Sequence, residues 1–199
     1  MHGNTLLLFK KYARHYFRPN IRVVEIGPLP PSLIERSVGD SSIRWETAGI
    51  DHTCPVTYVG TEYSYPIDSD AVDVVVATNV LEHVRKPWVW MKELARICKP
   101  GGHVITINPV SWPYHEHPID CWRAYPDGMK AVYEEAQLKV VLCLCESLED
   151  PHLRRHIPGR SLRNIYDHTG WKWRTMAKIS EIVGLPVERP YDTVTIGQK

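Results

Sequence analysis

Residues 108–123 concentrate the side chains that move protons or bind metals. His115, His117, Asp120 and Cys121 lie within seven positions, beside Trp112, Tyr114 and Trp122. Imidazole titrates near neutral pH, so His115 and His117 are candidate general bases, with Asp120 as an orienting group or an alternative base. The same four residues are metal-ligand types, and a His-x-His pair on an extended segment turns both rings to one side. Polar residues of this kind also cap loops and bond backbone. A second grouping is Glu25-Ile26-Gly27 and Gly49-Ile50-Asp51. A glycine after a strand admits close approach of a ligand to backbone. Asp51 follows Gly27 by 24 positions, near the ~20-residue offset at which an acid meets a ribose hydroxyl in nucleotide-binding sheets. One glycine and one acid describe an ordinary loop and a solvated carboxylate equally well.

The elements that must position these residues can be read from hydrophobic pattern and punctuation. Leu6, Leu7, Phe9, Tyr12, Tyr16 and Phe17 have helical spacing over 4–18, stopped by Pro19. Apolar, β-branched runs predict strands at 21–27, 45–50, 57–60, 71–78, 103–107, 138–145 and 193–196. The uninterrupted run at 71–78 suits a central strand covered on both faces. Helices are predicted at 31–38, at 86–98 before Pro100-Gly101-Gly102, and at 126–137 with a proline at the start. Residues 151–185 read as partly helical. Strands alternating with helices predict a parallel sheet with right-handed crossovers, whose ligands bind beyond the carboxyl ends of the strands.

Composition narrows the class. The chain has 199 residues, 43% hydrophobic and 24% charged, ordinary for a packed domain. Lys and Arg number 24 against 23 Asp and Glu, which argues against a chain-wide nucleic-acid or membrane footprint. No apolar run approaches the ~18–20 residues of a membrane span, and the N-terminal apolar stretch is too short for a secretory signal. Five cysteines without a C-x-x-C give no disulfide framework, so a reducing cytoplasm is expected.

The ordered set Val23-Val24-Glu25-Ile26-Gly27-Pro28, Ala48-Gly49-Ile50-Asp51, Leu81-Glu82-His83-Val84, Lys99-Pro100-Gly101-Gly102 and Trp122-Arg123-Ala124-Tyr125 resembles the class I S-adenosylmethionine-dependent methyltransferases, most closely their type 11 group. The resemblance covers about 21–145. It implies a Rossmann-like, doubly wound α/β fold: a mostly parallel seven-stranded sheet flanked by helices, with an antiparallel last strand. It also implies S-adenosylmethionine as cofactor and a small-molecule or glycan acceptor. Carried over by position, Glu25 and Gly27 line the methionine end, Asp51 accepts from the ribose hydroxyls, and His52 lies near the adenine. Thr61 or Glu62 meets the adenine amino group, and Asn79 and Val80 flank the sulfonium. The family's G-x-G-x-G loop is reduced here to Gly27 followed by Pro28-Leu29-Pro30-Pro31, which stiffens the loop and removes backbone donors. The 108–123 loop, after the fifth strand, then overhangs the acceptor side, where His115, His117 and Asp120 would take the acceptor's proton.

The reading is of one methyltransferase-like domain over 1–199: an N-terminal helix 4–18, a core 21–145, an insertion 151–190 and a last strand 193–196. The insertion holds eight Lys and Arg against three Asp and Glu, a formal balance of +5. It is read as a lid for an anionic acceptor, a solvated face or a subunit contact of a homo-oligomer. Two other functions are open. The proline-filled loop would suit a non-catalytic binding or assembly domain of the same fold. His115 and His117 would suit a metal-dependent hydrolase, although the H-x-H-x-D-H pattern of binuclear metallohydrolases is matched only in part: the Asp comes one position late and no His follows. No metal is assigned.

Overall fold

The structure is a computed structural model that describes residues 3–50, 54–112, 114–115, 118–149, 171–184 and 190–199. Seven strands form one sheet: β1 (Arg22–Ile26), β2 (Arg44–Gly49), β3 (Tyr58–Val59), β4 (Val72–Thr78), β5 (Cys98–Pro109), β6 (Lys139–Glu146) and β7 (Asp192–Gln198). Their order is β3-β2-β1-β4-β5-β7-β6. β1 pairs in parallel with β2 and β4, and β4 with β5, while β7 runs antiparallel to both β5 and β6. The chain first winds outward from β1 to β3 and then crosses back to β4. Strand order therefore reverses between β1 and β4, where an α/β sheet opens a crevice at its carboxyl edge.

Alternation along the central strands divides the core in two. Val24, Ile26, Val75, Ala77 and Val104 face α3 (Pro87–Ile97) and α4 (Pro126–Glu135), which supply Trp90, Met91, Leu94, Met129 and Tyr133. Val23, Val74, Val76, Ile105, Ile107, Val194 and Ile196 face the N-terminal segment and α2 (Leu33–Val38), through Leu8, Phe9, Ala13, Phe17, Ile34 and Val38. The helix expected over 4–18 changes pitch along its length: α1 (Gly3–Leu8), a π turn (Phe9–Ala13) and a 3₁₀ turn (Arg14–Tyr16). Side-chain contacts fix its end. The Arg14 guanidinium donates to the Ser37 and Val38 carbonyls at 3.1 and 2.8 Å, satisfying the C-terminus of α2, and Phe17 stacks on Trp45.

β5 begins at Cys98, five residues before the predicted strand, because Lys99–Gly102 stays in the sheet rather than forming a turn. Tyr133 lies fully buried against the sheet, its hydroxyl 2.9 Å from Thr106 Oγ1 and 3.2 Å from the Thr195 carbonyl. A Cβ at Gly197 would lie 2.5 Å from the Tyr133 ring, so that strand position excludes a side chain. α5 (Trp171–Ile182) is the described part of the predicted insertion; 150–170 and 185–189 lie outside the described residues. All five cysteines are free thiols. Among the described residues, no helix is long and apolar enough to cross a membrane.

Candidate functional site

The crevice at the strand-order reversal is a cavity of ≈ 890 Å³, within the range of small-molecule and cofactor sites. Glu25, Gly27, Gly49, Thr78 and Asn79 border it from the ends of β1, β2 and β4, Leu29 to Pro31 from the loop after β1, and Leu33 from the start of α2. Glu82, His83 and Val84 line it beyond β4, and Pro109, Trp112 and His115 come from the end of β5 and its loop. Of the residues singled out from sequence, Glu25, Gly27, Glu62, Asn79, Val80 and His115 converge on this one space. Thr61 does not line it: its side chain is exposed, and its backbone is tied to Ser64 in a bridge. Asp51, His52 and His117 lie outside the described residues.

Local chemistry fixes the β1 side. Gly27 has φ +62, and a Cβ there would lie 2.9 Å from Val80 Cγ2. The glycine is therefore required both by conformation and by closeness to the β4 tail. Glu25 is buried, and its Oε2 accepts from Trp45 Nε1 at 3.1 Å. Burial raises its pKa; hydrogen bonds from Ser32 and Trp45 oppose the rise. Ser32 also accepts from the Glu35 amide as the N-cap of α2, so one hydroxyl links the helix start to the acid. Glu62 reaches the cavity with its carboxylate engaged: Arg85 donates from its amide at 2.5 Å and its guanidinium at 3.0 Å, and Tyr63 donates at 2.9 Å. Burial alone would raise its pKa, but these bonds bring it below the usual carboxylate range.

Asn79, at φ 56, turns the chain out of β4, and Thr5 Oγ1 donates to its Oδ1 at 3.2 Å. The N-terminal helix thus braces the cavity, an arrangement absent from the sequence reading. The buried Asn4 beside it donates to Asp192 Oδ2 at 2.7 Å and to the Glu146 carbonyl at 3.0 Å, and its Oδ1 accepts from the Leu148 amide at 2.7 Å. These bonds bind the helix to the β6–β7 edge.

The loop after β5 is stitched to the β4 tail. The Cys121 amide donates to the Glu82 carbonyl at 2.6 Å, and Trp122 Nε1 donates to the Val84 carbonyl at 2.8 Å. His83 Nδ1 lies 2.5 Å from the Ile119 carbonyl, which marks Nδ1 as the protonated nitrogen. Burial lowers the His83 pKa, against that bond. Asp120 is buried, at 1% side-chain exposure. It accepts from Arg123 through both oxygens, at 2.5 and 2.6 Å, and from the His115 amide at 2.7 Å, while His115 Nδ1 lies 3.3 Å from its Oδ2. Burial works against ionisation, yet the Arg123 hydrogen bonds hold Asp120 below the usual carboxylate range. Of the two roles open to it, this position suits orienting His115: Asp120 does not border the cavity.

Sequence reasoning passed over Glu82 and His83 as chemistry, although they stand at a strand tail. The 3₁₀ turn Leu81–His83 carries both. Glu82 is 1% exposed, its Oε2 has no hydrogen-bond partner, and burial pushes its carboxyl up to about 8. Among the described residues the cavity lining contains Glu25, Glu62, Glu82, Glu149, His83 and His115 and no Lys or Arg.

This topology, with its crevice at the β1–β4 reversal and one antiparallel strand between β5 and β6, has clear counterparts. An S-adenosylmethionine-dependent methyltransferase from Archaeoglobus fulgidus superposes with a TM-score of 0.63 at 14% identity, covering 99% of this chain and 95% of that one. The fold is that of the class I methyltransferases. Residues 36–106 match the family described as a methyltransferase domain, which spans α2 through most of β5. A methyltransferase from Haloferax volcanii, solved in complex with the Trm112 methyltransferase activator, has a TM-score of 0.57 at 20% identity over 98% of this chain and 93% of that one. An uncharacterized methyltransferase of Mycobacterium leprae is 48% identical over 40 residues, 20% of this chain and 15% of the relative's length. The methyltransferase fold thus accounts for the sheet order and for the place of the cavity.

Proposed function

We propose that the protein transfers a methyl group from S-adenosylmethionine to a hydroxyl-bearing small molecule or glycan, in the cytoplasm. The observation that carries this reading is the cavity at the strand-order reversal, where Glu25, Gly27, Asn79 and Val80 meet the His115 loop. The residues fit the cofactor. The bare backbone at Gly27 admits the methionine chain, and Glu25 offers a carboxylate for its ammonium group. Asp51, on the β2 tail, is assigned to the ribose, His52 to the adenine face, and Glu62 to the adenine amino group in preference to Thr61. Asn79 and Val80 are assigned to the methyl-bearing sulfur. Bound, the cofactor supplies an activated methyl on a sulfonium; the protein's part is to hold an acceptor in line with it and to receive the acceptor's proton. Asp120, fixed by Arg123, orients His115 beside the acceptor, and His115 and His117 are the candidate bases.

The test is calorimetric titration with S-adenosylhomocysteine. Binding that Asp51→Ala weakens by roughly 10-fold or more, the loss of hydrogen bonds to a charged group, supports the reading. No heat at millimolar ligand refutes it and leaves a binding domain on the same fold, with Leu29 to Pro31 filling the methionine end.

A further inference from the structure

Three side chains converge at the acceptor end of the cavity. Glu82, His83 and His115 each offer one ligand atom, and these atoms lie within 4.8 Å of one another. We infer that Glu82, His83 and His115 form a binding site for a first-row divalent cation of the zinc, manganese or cobalt class, which holds the acceptor's oxygen.

Four observations carry this. The first is donor chemistry: two imidazole nitrogens and one carboxylate oxygen suit borderline transition ions, whereas magnesium and calcium favour oxygen alone. The second is the set of supporting contacts. His83 Nδ1 lies 2.5 Å from the Ile119 carbonyl and His115 Nδ1 3.3 Å from Asp120 Oδ2, itself anchored by Arg123. With its Nδ1 proton given to the Ile119 carbonyl, the His83 imidazole presents the Nε2 lone pair, the arrangement that orients metal-ligating histidines, while the His115 amide donates to Asp120 and places the second ring. The rings meet edge to face, centroids 5.1 Å apart at 85°, so they converge and do not stack. The third is Glu82, 1% exposed, with a carboxylate oxygen that no donor satisfies. A buried unsatisfied acceptor is costly, and a cation would supply the missing partner. The fourth is electrostatic: the described lining places no Lys or Arg beside these three ligand groups, and of its other carboxylates Glu62 is already paired with Arg85.

Three protein ligands leave at least one coordination position open, as in catalytic rather than structural sites, and all three residues border the cavity. An acceptor hydroxyl in that position ionises more readily and releases its proton to His117 or to water. This catalytic consequence rests on the methyltransferase reading above; the cation site itself does not. It gives His115 a ligand's role and leaves His117 as the base.

The experiment uses full-length, tag-free protein stripped with chelator and titrated with Co²⁺, followed by calorimetry and visible absorption. One equivalent is expected to bind at or below micromolar Kd, with weak visible bands of nitrogen and oxygen ligands. Glu82→Gln and His83→Ala should weaken binding at least 10-fold, and Asp120→Asn, which loosens both His115 and Arg123, should weaken it by roughly 10–100-fold. His15→Ala, on an exposed residue that does not line the cavity, should change nothing. Absence of binding at 1 mM Co²⁺ by folded protein, or binding retained in the ligand variants, overturns the site. If a ligand variant fails to fold by circular dichroism, the wild-type spectrum decides: an intense near-ultraviolet thiolate band would assign the cobalt to cysteine and overturn the site. S-adenosylhomocysteine is titrated into the same samples. Nucleoside binding without cobalt binding removes this inference alone, and cobalt binding without nucleoside binding removes the methyltransferase reading alone.

Discussion

Gly27→Ala tests whether the one remaining glycine of the first loop is held by geometry. Two costs follow from the structure. At φ +62 an alanine occupies the left-handed region, at about 1–2 kcal/mol. Its Cβ would also stand 2.9 Å from Val80 Cγ2, closer than carbon atoms tolerate. Val80 must shift, and overpacking of this kind costs ~1–3 kcal/mol. Together the loss is roughly 2–5 kcal/mol. At ~2–4 °C per kcal/mol for a chain of this size, the melting temperature should fall by roughly 4–20 °C. Val80 borders the cavity, so displacing it should also weaken S-adenosylhomocysteine binding. The double variant Gly27→Ala/Val80→Ala separates the costs: the steric part returns and the backbone part does not, leaving a melting temperature between the single variant and wild type once the cost of Val80→Ala alone is subtracted. Differential scanning calorimetry on the four proteins of the cycle, with calorimetric titration of the nucleoside, gives both readouts. A Gly27→Ala protein with wild-type stability and affinity would refute the reasoning.

Tyr133→Phe removes the buried hydroxyl that meets Thr106 and the Thr195 carbonyl, and urea unfolding should show a loss of about 1–3 kcal/mol with cofactor binding intact. Glu46 accepts from Arg22 at 2.6 Å, Arg44 at 2.8 Å and Tyr58 at 2.9 Å; burial would raise its pKa, but these bonds bring it below 4.5. The stabilisation is therefore complete above pH 4.5 and lost as pH falls through the folded value, so the advantage of wild type over Glu46→Gln should hold at pH 7 and shrink under acid, as followed by circular dichroism. Glu82→Met replaces a buried acid that has an unsatisfied oxygen by an apolar side chain of similar length, and metal-free protein should gain about 1–3 kcal/mol. A loss of stability instead would mean that the carboxylate is satisfied in the folded protein.

Much of the fold was legible because its signals are local and redundant. The run 71–77 is apolar at every position but Asp73, since β4 is covered on both faces, and Pro126 starts α4 where a missing N–H costs nothing. Asn4 and Thr5 were not legible: they look like polar ends of an amphipathic helix, and only the long-range approach of β6, β7 and Asn79 buries them. The extension of β5 back to Cys98 was hidden for a similar reason. Pro100-Gly101-Gly102 reads as a turn, yet its pairing is set by the chain's end, where Gly101 donates to the Lys199 carbonyl and Lys199 to that of Gly102. At the site, residue type was informative and position was not. His115 and Asp120 were chosen for their chemistry, but nothing in their spacing told which would face the cavity and which would be sealed behind it.

The same reasoning explains why Glu82 and His83 were passed over. Packing explains Leu81 and Val84, both buried in the core, and the backbone of 82–84 holds the loop through carbonyls that any residue could offer. Of the two side chains between them, His83 adds one bond to the loop at the Ile119 carbonyl, and Glu82 does none of this. Glu82 takes an unsatisfied carboxylate oxygen into the interior, and His83 takes a ring whose burial disfavours its charge. Neither choice is what stability alone would select, since an apolar residue of similar size would fill the same space without the desolvation cost. Local rules are broken where a site requires it. Here the break falls on two adjacent residues of one turn, and the third member, His115, is held through its amide by Asp120, whose buried carboxylate pairs with the half-buried Arg123. An arrangement that forgoes stability at 82 and 83 and rigidly supports 115 is accounted for by something that all three hold together.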